Sequence, residues 1–353
     1  MRADVRRFAV RACAALAALC CTGVLAQDRT PVTPGVHDAL ATAGPQAGHI
    51  GDLWNLTVFV CTAVFCAVLL GLVLALWRSG RARVEDAADL SSVGRHERGP
   101  YRSVLWSVAV SIALLFVLVF ASVLTDRALA RLSLASAVNI EVTGYQWWWD
   151  VRYRGDQPSD TFTTANELHI PVGRPVVLKL NGGDVIHSMW VPSLSGKKDL
   201  IPGRTATLHL QADQPGRYRG QCAEFCGYQH AFMAFEVIAD PPERYEAWLA
   251  AQRQPAPEPT DATVRRGQEV FLGSACVMCH AIRGTVAGAR VAPDLTHLGS
   301  RSTIAAGTLP NRPAELARWI ANPQQFKPGT NMPATALSSA DMGALVAYLE
   351  SLQ

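Results

Sequence analysis

Cys222-Ala-Glu-Phe-Cys226-Gly-Tyr-Gln-His230-Ala-Phe-Met233 sets two thiols four residues apart, an imidazole four beyond the second and a thioether three further on. Such a borderline-to-soft donor set suits copper far better than magnesium or calcium. Spacings of three and four on a short loop let the four side chains converge, and one more imidazole, His187, could join them from an earlier strand. The competing reading is a disulfide between Cys222 and Cys226. It gives His230 and Met233 no role, and zinc, the other common thiolate metal, is bound by Cys, His and carboxylates rather than by methionine.

The chain has 353 residues, room for two or three domains. Its 49% hydrophobic against 17% charged residues is apolar for a wholly soluble protein, so part of it belongs in a membrane. A net charge of +3, with no basic run interleaved with aromatics, excludes a nucleic-acid partner. Three apolar stretches account for the composition. Arg2, Arg6, Arg7 and Arg11 lead into Ala12 to Leu25 and a Val24-Leu25-Ala26 end, a secretory signal over residues 1–26. Lipidation at Cys20 or Cys21 is the alternative, but the Leu19 or Cys20 before each fits a small-residue processing site poorly.

Leu53 to Trp77 and Val104 to Thr125 hold no charged residue over 25 and 22 positions. Each is long enough to cross roughly 30 Å of hydrocarbon as a helix, so residues 27–126 read as a transmembrane hairpin. The connecting segment carries Arg78, Arg81, Arg83, Arg95, Arg98 and Arg102, which places it in the cytoplasm. Everything from Asp126 onward then lies outside, where thiols are oxidised unless a metal or haem claims them. Of nine cysteines, Cys13, Cys20 and Cys21 fall in the signal and Cys61 and Cys66 in the first span. Cys222, Cys226, Cys276 and Cys279 remain, and all four have a cofactor to explain them.

Residues 138–238 are β-rich: Leu168-His-Ile, Val176 to Leu180 and Thr205 to Leu210 are short runs broken by Pro, Gly and Asn turns, the pattern of a Greek-key sandwich. Residues 239–260 read as a short helix, Glu243 to Gln252, and a proline-rich semi-rigid spacer at Pro255 to Pro259. A further domain, 261–353, declares itself with Cys276-Val-Met-Cys279-His280, the c-type haem attachment motif, in which His280 supplies one axial nitrogen. Met332, in Gly329-Thr-Asn-Met332-Pro-Ala, is the choice for the sixth ligand. Met342 sits on the final helix, where a core role is commoner, and Met278 lies inside the attachment loop. A His/Met pair raises the haem potential, which suits delivery of electrons toward oxygen. His297 reads as a surface histidine.

The order of the soft ligands resembles the binuclear copper centre, CuA, of cytochrome c oxidase subunit II. That resemblance implies as ligands His187, Cys222, Glu224 through its carbonyl oxygen, Cys226, His230 and Met233, and a cupredoxin fold for the sandwich. Asp184-Val-Ile-His187-Ser, Val191-Pro-Ser-Leu and Ile201-Pro-Gly-Arg204 are similar to the family as well. In Gly144-Tyr-Gln-Trp147-Trp148-Trp149-Asp150 an isolated tryptophan cluster would suit core or interface packing. The resemblance instead makes Trp147 the residue through which electrons enter the copper centre, with Trp148 and Trp149 as packing residues. The Glu224 side chain reads either as a solvated loop carboxylate or, by the resemblance, as a ligand to magnesium at the boundary with subunit I. Met332, Pro293-Asp-Leu and Leu345-Val-Ala-Tyr348-Leu349 resemble class I cytochrome c, which implies that the Pro293 carbonyl orients His280. One departure concerns proton uptake: where many relatives carry a glutamate three residues before the tryptophan of the second span, this chain has Ser103, with Glu97 nearby.

Taken together, these readings imply a multidomain membrane protein made of a two-helix transmembrane hairpin, an all-β cupredoxin domain and an all-α cytochrome c domain. The implied role is subunit II of a respiratory haem–copper cytochrome c oxidase with a fused cytochrome c, in a bacterial inner membrane with both redox domains on the periplasmic side. An external cytochrome or an upstream quinol–cytochrome c reductase would donate electrons. Subunit I, with subunit III beside it, would reduce oxygen to water coupled to proton translocation. The two apolar runs contain no histidine, so this chain cannot hold the oxygen site itself. Two other readings stand beside it: an electron carrier serving a different terminal enzyme such as a nitrogen-oxide reductase, and a copper-delivery module. Quinol oxidase subunits II share the hairpin and sandwich but lack the copper ligands.

Overall fold

A computed structural model describes residues 37–78, 98–155 and 157–353. The signal sequence expected over 1–26, Glu97 and the arginines at 81, 83 and 95 lie outside the described residues. Two helices, Pro45–Arg78 and Arg98–Ala130, are long and apolar enough to cross a membrane. Both outrun the apolar stretches at each end, and the prolines in them, Pro45 and Pro100, sit in a first turn, where a missing N–H costs no helical bond. No residue of the second is buried by protein, and a helix apolar around its whole girth finds its solvent in hydrocarbon. Ser103 Oγ donates to the Gly99 carbonyl of its own helix at 3.1 Å.

Ser133–Gln353 form a second compact unit together with the segment ending at Gly48. Within it, ten strands make two five-stranded sheets. The first runs β3 (Phe162–Ala165), β2 (Trp148–Tyr153), β1 (Val138–Tyr145), β5 (Val176–Gly182), β8 (Ala206–Leu210). The second runs β4 (Glu167–Pro171), β10 (Ala234–Asp240), β9 (Gly216–Cys222), β6 (His187–Trp190), β7 (Lys197–Leu200). Burial alternates along β1 and β2, so Ile140, Val142, Val151 and Tyr153 face inward against Leu168, Leu178, Leu208 and Val237 of the core. Two pairings are parallel, β1 with β5 and β4 with β10, which forces the crossovers of a Greek-key sandwich rather than a meander. Within this unit the segment ending at Gly48 lies on the sandwich: Ala43 and Ala47 N–H groups donate to the Ser193 and Leu194 carbonyls at 2.7 and 3.2 Å.

Helix Pro242–Gln252 packs Trp248 and Leu249 on the sandwich core. Asp261 then caps helix Ala262–Leu272, accepting from Thr263 and Val264 N–H at 2.7 and 3.1 Å. Helices Ala262–Leu272 and Ser339–Ser351 cross at Gly267, where an added Cβ would stand 1.9 Å from the Ala344 carbonyl oxygen. The helical domain is not purely α, since Thr303–Ile304 and Leu309–Pro310 form a two-residue ladder. The proline stretch also departs from a free spacer. Ala256 N–H donates to Arg283 O at 2.8 Å, and Gly284, with φ +92°, has no Cβ to keep Pro255 away. His297 is buried rather than on the surface: its two ring nitrogens meet the Gln353 and Gln254 carbonyls at 2.7 and 3.1 Å, pinning the chain end to the linker.

Candidate metal centre and haem site

His187 opens β6 and Cys222 closes β9, and the pairing of Met189 with Cys222 puts those strand ends side by side. The next loop carries Cys226, His230 and Met233, closed by a bond from Cys222 N–H to Met233 O at 3.0 Å. The sulfurs of Cys222 and Cys226 stand 3.8 Å apart, far beyond the roughly 2.05 Å of a disulfide. Around them lie His187 Nδ1 at 3.9 Å from Cys222 Sγ, His230 Nδ1 at 3.6 Å from Cys226 Sγ, Met233 Sδ at 3.8 Å from Cys226 Sγ, and the Glu224 carbonyl at 3.3 Å from Cys222 Sγ. Metal–thiolate bonds are about 2.3 Å, so the sulfur spacing is one that a bridging ion can span. Two sulfurs, two imidazoles, a thioether and a carbonyl gathered this closely fit copper. Among the described residues, His187, Cys222 and Cys226 are the one cluster whose ligand atoms lie within 4.8 Å of each other.

Neighbours fix the orientation of these donors. His187 is fully buried, and its Nε2 bonds Asp184 Oδ1 at 2.8 Å, which turns Nδ1 toward the thiols. The Asp184 carboxylate also accepts from Gln146 and Val185 N–H, both at 2.7 Å. Gly144 makes room for the imidazole; a Cβ there would stand 3.0 Å from its Cδ2. Burial pulls His187 down, but its bonds to Cys222 and Asp184 prevail and leave it raised. Cys222 is pulled far below an ordinary thiol by the hydrogen bond from Cys226, and Cys226 is pushed up in return. A binding metal would displace the thiol protons, since the thiolate is the ligating form. Glu224 is exposed, and its carbonyl rather than its side chain faces the thiols.

In the helical domain, Cys276, Val277 and Met278 lie in the short turn Ala275–Met278, and His280 N–H bonds back to Cys276 O at 3.0 Å. The ring of His280 bonds the Pro293 carbonyl through Nδ1 at 2.7 Å, which leaves Nε2 for a cofactor iron. Burial lowers its pKa, favouring the neutral ring that ligation needs. Cys276 and Cys279 are free thiols. Met332 packs partly buried on the domain core, as does Met342, while Met278 is 72% exposed. Arg301 is buried with no partner on Nε, a donor left for an anionic group such as a porphyrin carboxylate.

Trp147 lies between the two sites. Its Nε1 donates to the Cys226 carbonyl at 3.0 Å, and a Cβ added at Gly329 would stand 3.6 Å from the Cη2 corner of the same ring. Trp149 is core, edge-on to Phe235, and Trp148 stacks on Tyr145 with centroids 5.1 Å apart. Sequence reasoning missed Asp184 as the support of His187 and missed the seam altogether: Gln229 Nε2 to Pro328 O at 2.7 Å, Ala234 N–H to Ala306 O at 3.1 Å, and Lys327.

The family described as cytochrome c oxidase subunit II, periplasmic domain, matches residues 138–239, and the family described as cytochrome c matches residues 264–353. "Cytochrome c oxidase subunit 2" of Alkalihalophilus pseudofirmus is 36% identical over 321 residues, 89% of this chain and 90% of that relative. The protein of the same name from Bacillus sp. strain PS3 is 32% identical over 71% of this chain and 74% of its own length. "Quinol oxidase subunit 2" of Bacillus cereus is 34% identical, but over 45% of this chain and 54% of that relative. Near full-length identity and a sandwich ending in an assembled soft-donor loop agree, and the chain belongs to the cytochrome c oxidase subunit II family, with a cytochrome c domain at its C-terminal end.

Proposed function

We propose that His187, Cys222, the Glu224 carbonyl, Cys226, His230 and Met233 hold a binuclear CuA centre, and that Cys276, Cys279, His280 and Met332 hold a covalent haem c. Bound there, both groups supply one-electron redox chemistry. The chain's own part is to fix the donors, exclude water and set the two sites either side of Trp147. Asp184 holds His187, Pro293 holds His280, and the strand ends and loop closure leave the copper ligands little to rearrange as charge changes.

The observation that carries this reading is the position of Trp147, bonded to Cys226 on one side and against the Met332 loop on the other. An external cytochrome or a quinol–cytochrome c reductase delivers electrons on the haem side. They leave on the copper side to a separate subunit I, with subunit III alongside, where oxygen is reduced to water with proton translocation. The exposed Glu224 carboxylate is free to reach a magnesium ion at that boundary. The two long helices anchor the chain in a bacterial inner membrane with both redox domains outside. The test is co-purification of the full chain with a haem–copper subunit, then rapid mixing with reduced cytochrome. Haem c reduction preceding copper reduction supports the route; copper reduction at full rate after loss of the haem thioether ligand overturns it.

A further inference from the structure

Lys327 is 3% exposed, and a lysine that deep is rare unless paired. Its ammonium has three donors, and all three meet backbone carbonyls: Trp147 at 2.8 Å, Phe232 at 2.9 Å and Ala305 at 3.2 Å. The first two carbonyls belong to the sandwich, Trp147 in the turn between β1 and β2 and Phe232 beside Met233 on the copper loop. The third belongs to the helical domain, as does Lys327, which stands five residues before Met332. Carbonyl dipoles rather than a carboxylate hold the charge, so what fixes it is the mutual placement of three backbone segments from two domains. The same stretch contributes Pro328 O to Gln229 and lays Gly329 on the Trp147 ring. Without the ammonium, the Trp147 and Phe232 carbonyls would lose the donor that joins them, while Ala305 O would keep the Thr308 hydroxyl at 2.7 Å, which favours parting of the two surfaces.

We propose that Lys327 is a positioning residue for electron transfer within the chain: it ties the Met332 loop to the backbone of Trp147 and holds the haem domain in the register in which that ring bridges the two cofactor sites. This rests on the functional reading above, in which one electron leaves a ferrous haem and is taken up by the oxidised copper pair, with no atom or proton crossing. The role differs from that of a ligand, since the Lys327 ammonium meets backbone carbonyls and acts through Trp147 and Phe232.

Two measurements on the full-length chain in detergent test it. In the wild type, an amine-reactive label should modify Lys327 at least about tenfold more slowly than the exposed Lys197 and Lys198, as expected for a group reached only by local opening. Labelling at the same rate overturns the docking. Lys327→Met should keep copper and haem spectra while hydrogen exchange over residues 145–149 and 327–333 rises on the order of tenfold. Flash-initiated haem-to-copper transfer should slow on the order of tenfold to a hundredfold, the scale of a 1 Å misplacement, with Lys327→Gln in between because it keeps two donors. Unchanged exchange or an unchanged transfer rate in Lys327→Met overturns the proposal. A variant that fails to fold leaves the wild-type label to decide. A wild-type chain with no copper-pair signal defeats the functional reading alone, because the label still reports the docking.

Discussion

The indole N–H of Trp147 donates to the carbonyl of Cys226 at 3.0 Å, while the far corner of the same ring packs against Gly329. One side chain therefore touches the backbone of Cys226 and the loop that carries Met332. The Cys226 carbonyl has a second donor, Gln146 Nε2 at 2.8 Å, so the loop does not depend on the indole alone. Trp147→Phe should cost about 1 kcal/mol of stability for the lost hydrogen bond. It should leave copper binding intact and slow haem-to-copper transfer by roughly tenfold or more, since the contact on both sides loosens. Flash photolysis of the loaded chain measures this, and wild-type transfer in Trp147→Phe would remove the tryptophan from the route.

Asp184 holds His187 by a 2.8 Å bond and takes two backbone N–H groups besides. Supports of this kind are worth about ten- to a hundredfold in metal affinity. Asp184→Asn should weaken copper binding by that factor in a competitive chelator titration, with the far-ultraviolet spectrum unchanged. Equal affinity would mean the imidazole is oriented by packing against Gly144 alone.

Burial pushes the Asp150 carboxyl up to about 6, with Arg152 opposing and Asp294 adding to the shift. A raised carboxyl pKa means the folded chain favours the protonated acid, so the stability it contributes is full below about 4 and lost as pH rises through about 6. Asp150→Asn, which mimics the protonated acid, should match the wild type near pH 4 and exceed it near neutrality by on the order of 1–3 kcal/mol. Denaturant midpoints across that range check the sign; a difference independent of pH would contradict it.

Gly267 allows helices Ala262–Leu272 and Ser339–Ser351 to cross in backbone contact. Gly267→Ala must push Ala344 and Tyr348 aside and should destabilise the haem domain by about 1–3 kcal/mol, the usual cost of overpacking. The copper loop should be unaffected. Thermal unfolding followed separately in the haem band and in the copper bands distinguishes local from general damage.

The gathering of soft donors was legible because they sit within twelve residues, Cys222, Cys226, His230, Met233, at spacings that let a short loop bring them together. The haem attachment motif was legible for the same reason. From sequence His187 was only a donor able to join from an earlier strand, and the pairing of β6 with β9 is what brings it to Cys222. Strand runs such as Val176 to Leu180 were readable as short runs broken by turn residues, whereas the pairing of β1 with β5 joins residues too far apart for local pattern to reveal. Lys327 gave no signal at all: a lysine before Pro-Gly reads as a solvated loop, and its three carbonyls come from positions 147, 232 and 305. His297 misled for the same reason, because the carbonyls that bury it belong to the linker and the chain end.

Electron transfer through this chain requires that the two sulfurs 3.8 Å apart bridge a copper pair. Electron paramagnetic resonance of the full-length chain, loaded with copper and haem and partly oxidised, asks this directly. One unpaired electron shared equally by two copper nuclei gives a seven-line hyperfine pattern, and that is the expected result. A four-line pattern from a single copper, or no copper signal, would contradict the account and leave a membrane-anchored cytochrome c beside a different kind of metal loop.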